Sequence, residues 1–188
     1  WISFNVLTQD MSLNSMLETL SGNGIFIKDQ SGYSDYYDEY GWYGTLSELN
    51  NSSMYKLNIS DNSIVSLTGY PADVEQTIID AKLGWNWIGY TPQYSMEINS
   101  ALSDIPDGNA TFIKSQSGYS EYYGEYGWYG TLQGLDPYEG YVAYFTQDTP
   151  FTYVGSSLLS TSSVTPVKYT DDSFDVDPSD YEYNATLT

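Results

Sequence analysis

The sequence predicts a β-rich α+β fold: two tandem repeats, each a mostly antiparallel sheet with one helix, plus an extended C-terminal strand tail. Three observations carry this. A tyrosine-crowded segment is written twice, SGYSDYYDEYGWYGTL at Ser31–Leu46 and SGYSEYYGEYGWYGTL at Ser117–Leu132, differing only at Asp35/Glu121 and Asp38/Gly124. Segments around it alternate apolar and polar residues, as half-buried strands do. One segment, SLNSMLETL, spaces Leu13, Met16, Leu17 and Leu20 at helical intervals, and SMEINSAL fills the same slot in the second copy.

The match is ungapped at an offset of 86 residues from Phe26 to Leu46. It continues through Leu49/Leu135, Tyr55/Tyr141 and Gly69/Gly155, and upstream Trp1-Ile2 falls on Trp87-Ile88. A one-residue slip then brings Leu13-Asn14-Ser15 onto Ile98-Asn99-Ser100. The expected organisation is a first repeat over 1–84, a second over 85–160, and a linker with a strand tail over 161–188. The second copy opens GWNWIGY and the first WISF, so the first reads as lacking its opening residues. A fragment of a longer chain and a mature N-terminus at Trp1 are the two readings of that start.

Each element follows in order. WISFNVL puts Ile2, Phe4 and Val6 on one face and Ser3 and Asn5 on the other, a half-buried strand. The helix from Leu13 to Leu20 has Ser12 as its N-cap and ends at Gly22 and Gly24. IFIK is a strand. Ser31-Gly32 turns it back along Tyr33–Tyr37, and Asp38–Gly41 turns again into Trp42–Leu46. Tyr33, Tyr36, Tyr37 and Tyr40 also fit a helical face, but the glycines and the strand preference of tyrosine favour the hairpin. MYKLNI and SIVSLTG are two more strands, joined through Ser60–Ser63. TFIK, YVAYF and FTYVG occupy the same slots in the second copy, where Pro92 shortens the first strand.

The chain has 25 acidic residues against 5 basic ones, a net charge of −20. All the bases are lysines. No basic footprint exists for a nucleic acid, and an anionic membrane surface repels such a chain. No run of about 18 apolar residues spans a membrane. Without Cys or His there is no thiolate nucleophile, no zinc site of the N/S kind and no Ser-His triad. Paired carboxylates, Tyr or Lys remain for catalysis. The pair Asp38/Glu39 does not recur, because Gly124 replaces Asp38 in the second copy. The chain reads as non-enzymatic.

The aromatic segments carry the candidate contacts: Tyr36, Trp42 and Tyr43 in the first copy and Tyr122, Trp128 and Tyr129 in the second. Their rings can cover the sheet face that a lone helix leaves open. They can equally form a stacking platform for sugar rings or for a neighbouring protein, with Asp35, Asp38 and Glu39 bonding hydroxyls.

The motifs GWNWIGY, INSAL, FIKSQSGYSEYY and GWYGTL resemble tandem modules of very long surface and secreted proteins of bacteria, aquatic protists and large algal viruses. Trp1-Ile2-Ser3-Phe4 and Trp87-Ile88 match their opening motif, and Gly41-Trp42 and Gly127-Trp128 the later one. The tail FDVDPSDYEYNATLT is similar to the first strands of a different module that often follows such pairs. The resemblance covers essentially the whole chain. It implies an extracellular place on a cell or virion surface and a structural or adhesive role. The expected function is a segment or subunit of a surface filament or stalk-like assembly. The alternative is a tandem carbohydrate-binding module using the GWYG platforms.

N-glycosylation acceptors stand at Asn50, Asn51, Asn58, Asn109 and Asn184. Residues 156–173 are Ser/Thr-rich and read as an extended linker. Asp171, Asp172, Asp175 and Asp177 are calcium candidates without EF-hand spacing; otherwise no cofactor is expected beyond covalent glycans. In the tail, Phe174 and Val176, then Tyr181, Tyr183 and Leu187, share apolar faces. Such a strand needs a partner: its own second repeat, a further domain, or a neighbouring copy in head-to-tail assembly.

Overall fold

The structure, a computed structural model, describes residues 1–20, 22–155 and 182–187, the last as backbone. In the first half, Val6–Leu7 (β1) precedes the helical turn Leu13–Met16 (α1) and a 3-10 turn at Glu18–Leu20. Gly24–Lys28 (β2), Tyr33–Tyr37 (β3), Gly41–Gly44 (β4) and Lys56–Ile59 (β5) form an antiparallel sheet in the order β4-β3-β2-β5. Ser63–Thr68 (β6) and Tyr70–Pro71 (β7) follow, β7 pairing back with β1.

The second half begins with Ile79–Ala81 (β8), Gly84–Gly89 (β9), Met96–Glu97 (β10) and the helical turn Ile98–Ala101 (α2). Ala110–Lys114 (β11), Tyr119–Tyr122 (β12), Trp128–Gly130 (β13), Gly134–Leu135 (β14), Gly140–Phe145 (β15) and Thr149–Phe151 (β16) complete it. Its main sheet runs β13-β12-β11-β15-β9, with β8 beside β16 and β10 beside β14. Glu182–Leu187 (β17) pairs with β6. The fold is thus β-rich, with several antiparallel sheets and two short helices.

Residues 86 apart hold matching registers. Ile27 opposes Ser34 as Ile113 opposes Ser120, and Tyr36 opposes Trp42 as Tyr122 opposes Trp128. The ladder shifts between Gly24 and Phe26, and again between Ala110 and Phe112. The hairpin read from the tyrosine segment is present, with its last strand at Gly41–Gly44. Gly44 and Gly130 are required there: an added Cβ would lie 2.6 Å from Ser34 Cα or Ser120 Cα.

Two expectations are corrected. The helix is one α-turn followed by a 3-10 turn, and Ser12 makes no side-chain cap bond. Leu13, Met16 and Leu17 share the face of the α-turn, and Leu20 lies one 3-10 turn after Leu17, so all four are buried. In the second half Glu97 is the working cap, its side chain accepting from the Ser100 N–H at 3.1 Å. Secondly, Ile2–Val6 is no half-exposed strand. Ser3 and Asn5 are as buried as Phe4, because the opposite half covers them.

Two apolar cores lie under the sheets. Phe4, Leu13, Met16, Leu17, Leu20, Ile27, Trp42 and Tyr55 fill the first, and Tyr90, Ile98, Ile113, Trp128, Tyr141, Phe145, Phe151 and Tyr153 belong to the second. Tyr55 and Tyr141 are equivalent: each hydroxyl accepts a backbone N–H, from Asn50 at 2.8 Å and from Asp136 at 2.7 Å. Burial raises the phenols of Tyr90, Tyr141 and Tyr153, and pushes Tyr55 up to about 12. The folded chain therefore holds these protons more tightly than the unfolded chain, whose tyrosines titrate near pH ~10. Stability falls as pH rises past that value. Alkaline titration followed by tyrosinate absorbance and circular dichroism should show these phenols ionising together with unfolding, above the exposed tyrosines. Independent ionisation in a folded chain would contradict it.

Candidate interaction surfaces

The two halves meet through reciprocal contacts, as across a two-fold axis. The Ser3 N–H donates to the Tyr138 carbonyl at 2.9 Å, and Gly89, 86 residues after Ser3, donates to Ser52, 86 before Tyr138, also at 2.9 Å. Gly140 donates to Trp1 at 3.4 Å, mirrored by Met54 donating to Trp87 at 3.3 Å. The Trp87 N–H donates to Gln30 Oε1 at 2.8 Å, mirrored by the Trp1 amino group on Gln116 Oε1 at 2.9 Å. The buried polar residues complete the seam. Ser3 Oγ donates to the Glu139 carbonyl and accepts the Tyr90 N–H, and Asn5 Nδ2 donates to the Pro92 carbonyl at 3.1 Å. Gly89 fits because a Cβ there would lie 2.6 Å from the Asn51 carbonyl.

The sequence-derived contact residues separate into two groups. Trp42 and Trp128 are buried, so they are core residues and not platforms. Tyr36 and Tyr122 are half-buried and pack on them, both with ring centroids at 5.4 Å. Only Tyr43 and Tyr129 of the six face solvent, 73% and 60% exposed. Strand alternation requires this: in GWYG neighbouring rings point to opposite faces. The edge that GWYG presents is closed by helix side chains. Asn14 Oδ1 accepts the Trp42 N–H at 2.7 Å and Asn99 Oδ1 the Trp128 N–H at 2.8 Å, which blocks strand addition at that edge.

The open face of the second sheet is aromatic across its width. Tyr129, Glu121, Phe112, Tyr144 and Trp85 are consecutive cross-strand neighbours. Trp85 meets Tyr144 edge-on at 5.2 Å and Phe112 at 5.7 Å, and Phe112 stacks on Tyr119 at 5.7 Å. Glu121 accepts the Tyr123 hydroxyl at 2.9 Å. In the first sheet Tyr33, Tyr37, Tyr40 and Tyr43 are exposed like their counterparts Tyr119, Tyr123, Tyr126 and Tyr129. Trp85, Phe112 and Tyr144 were not among the sequence candidates. Alternation within GWNWIG, ATFIK and GYVAYF carries the signal, but only the order of these distant strands places them side by side.

Where the two open faces approach, three lysines gather around two tryptophans. Lys56 Nζ lies 4.4 Å from the Trp87 ring centroid and 4.8 Å from that of Trp1. Lys28 stands 5.6 Å from Trp87, mirrored by Lys114 at 5.7 Å from Trp1. A separate cleft of about 340 Å³ in the second half is lined by Asn99, Asp107, Tyr122, Glu125 and Trp128 among others; Asp107 accepts the Tyr122 hydroxyl at 2.7 Å.

The acceptor asparagines differ sharply. Asn51 is buried, with Nδ2 donating to the Phe4 and Val6 carbonyls at 2.8 and 2.9 Å, so it cannot carry a glycan in this fold. Asn109 is half-buried, its Nδ2 bonded to Thr149 Oγ1 at 3.2 Å. Asn50 and Asn58 are exposed. Asn184 lies on β17 opposite Ser66, with Tyr183 opposite Leu67 and Leu187 opposite Ser63. The tail strand thus pairs with the first half, which was not among the three expected partners. Phe174, Val176, Tyr181, Asp171, Asp172, Asp175 and Asp177 lie outside the described residues. Among the described residues, no cluster of acids could hold a metal ion and no helix is long and apolar enough to cross a membrane. No family of known proteins, no curated protein and no solved structure matches the chain.

Proposed function

We propose that the chain is a non-enzymatic structural segment of an extracellular surface assembly, a filament or stalk-like body, built from two tandem modules. The observation that supports it is the reciprocal backbone seam, in which each bond recurs between residues shifted by 86 positions. Two copies of one motif clasp through main-chain bonds and buried Ser3 and Asn5, a rigid unit suited to bearing load. The partners are further copies of the chain or further domains of a longer one. Negative-stain microscopy of concentrated full chain should show linear particles whose repeat is a multiple of the two-module unit. A monodisperse single unit at every concentration would overturn the reading.

The ring row of Trp85, Phe112, Tyr144 and Tyr119, exposed at Trp85 and Tyr119 and half-buried between, favours a second reading, a tandem carbohydrate-binding module. In that reading the platform is the open sheet face, with Tyr43 and Tyr129 at its edges, in place of Trp42 and Trp128.

A further inference from the structure

The chain has five lysines against 25 acids, yet Lys28, Lys56 and Lys114 come together at one place. Lys28 and Lys56 are direct cross-strand partners, an arrangement of like charges that is destabilising by itself. Among the described residues none of the three pairs with a carboxylate; the ion pair present is Lys82 with Asp80. Of the nearby acids, Asp29 Oδ1 accepts the N–H groups of Ser31 and Gly32, and Glu139, which also acts on the Trp1 amino group, accepts the Tyr141 hydroxyl through Oε2. Burial, and then Lys28 and Lys114, lower the Lys56 ammonium below its ordinary value. The Trp1 and Trp87 rings supply attraction but no hydrogen-bond acceptors of the kind an ammonium takes. Three sets of donors are thus left for something outside the chain.

The surroundings indicate what it is. Lys28 is flanked in register by Tyr33, and Lys114 by Tyr119, both about half exposed, and Phe112 stacks on Tyr119. The strip therefore runs from Tyr33 through the three lysines Lys28, Lys56 and Lys114 to Tyr119 across the seam between the halves. Flat rings at both ends suit sugar faces, and the ammonium groups between them suit sulfate or carboxylate oxygens. The net charge of −20 repels any polyanion away from the strip, so the rings decide: a sugar polymer offers them flat faces, whereas duplex DNA keeps its bases stacked inside.

We infer that Lys28, Lys56 and Lys114, set between Tyr33 and Tyr119, form a binding strip for an acidic polysaccharide bearing sulfate esters or uronates. The inference rests on the carbohydrate-binding reading and adds the charge of the ligand to it. Titrate the full chain with dextran sulfate, polygalacturonate, unmodified dextran, inorganic sulfate and duplex DNA. Compare it with a variant carrying Lys28→Gln, Lys56→Gln and Lys114→Gln, and with the corresponding triple Lys→Arg variant. At least one acidic polysaccharide should bind, weakening with salt. The glutamine variant should lose about tenfold or more in affinity while the arginine variant keeps it. Should the glutamine variant fail to fold by circular dichroism, Lys114→Gln alone serves, with a smaller loss expected. Equal binding of dextran and dextran sulfate, unaffected by the lysine changes, would overturn the strip and leave the aromatic-face reading standing. No binding of any polysaccharide would overturn both. Equal binding of DNA, or displacement by inorganic sulfate at matched sulfate concentration, would overturn the assignment to an acidic sugar polymer.

Discussion

Trp42→Ala and Trp128→Ala should each destabilise the fold by about 3–5 kcal/mol, whereas Tyr43→Ala and Tyr129→Ala, one residue along, should change it by about 0.5 kcal/mol or less. The contrast comes from the pleat. Trp42 and Trp128 are 6% and 7% exposed, against 73% and 60% for their neighbours. Removing a buried indole opens a cavity that the sheet and the helical turn cannot close, because Tyr36 and Tyr122 rest on the same rings. Trp42 also packs over Gly24, where a Cβ would lie 2.5 Å from its Cζ2. The equivalent position in the second half is Ala110, so Trp128 sits with different clearance. Trp42→Phe should be milder, roughly 1–2 kcal/mol, since the Trp42 indole N–H is buried without a hydrogen-bond partner and its loss strands nothing. Urea unfolding of the four alanine variants and Trp42→Phe checks the set. A large effect at Tyr43 with a small one at Trp42 would mean that the faces of β4 are reversed.

Several of these features were legible in the amino-acid order. The hairpin at Ser31–Leu46 was fixed by Ser31-Gly32 and by the glycines around the aromatic pair, and its counterpart at Ser117–Leu132 follows from near-identity. The alternation rule for the GWYG rings was available too, but it does not say which face is the core. That depended on the helical turn, whose Leu13, Met16 and Leu17 cover one side only. The burial of Ser3 and Asn5 had no sequence signal. An alternating segment reads as half exposed, and here the second half of the chain covers the polar side and satisfies it with the Glu139 and Pro92 carbonyls. The lysine strip was hidden for the same reason: Lys28, Lys56 and Lys114 are distant in sequence, and only strand order and the seam unite them.

Cutting the chain before Asp171 should weaken the first half by about 3 kcal/mol, taking roughly 0.5 kcal/mol for each residue of the lost six-residue ladder, and should abolish assembly. The argument rests on register. In the second half β8 lies beside β16, Ala81 opposite Thr149 and Ile79 opposite Phe151. In the first half Ser63 and Val65 occupy the corresponding places on β6, and their partners are Leu187 and Ala185. The tail strand thus fills, from the far end of the chain, the slot that β8 fills beside β16. Without it β6 has no neighbouring strand among the described residues, and its N–H and C=O groups face water or another chain. Twenty-six residues separate Gly155 from Glu182, a reach of up to about 85 Å when extended, enough to deliver the strand to a second molecule. We therefore expect exchange: β17 of one copy beside β6 of the next, a contact that propagates head to tail because it does not close on itself. The absence of cysteine makes the test clean. Ser66 and Asn184 are register partners, so a Ser66→Cys chain mixed with a size-tagged Asn184→Cys chain should form a mixed disulfide whose yield rises with concentration. The double variant should shift from internally closed monomer to a ladder of multimers over the same range. If the double variant closes only within one chain at every concentration, and the mixed single variants never link, the slot is an internal clasp and strand exchange is overturned.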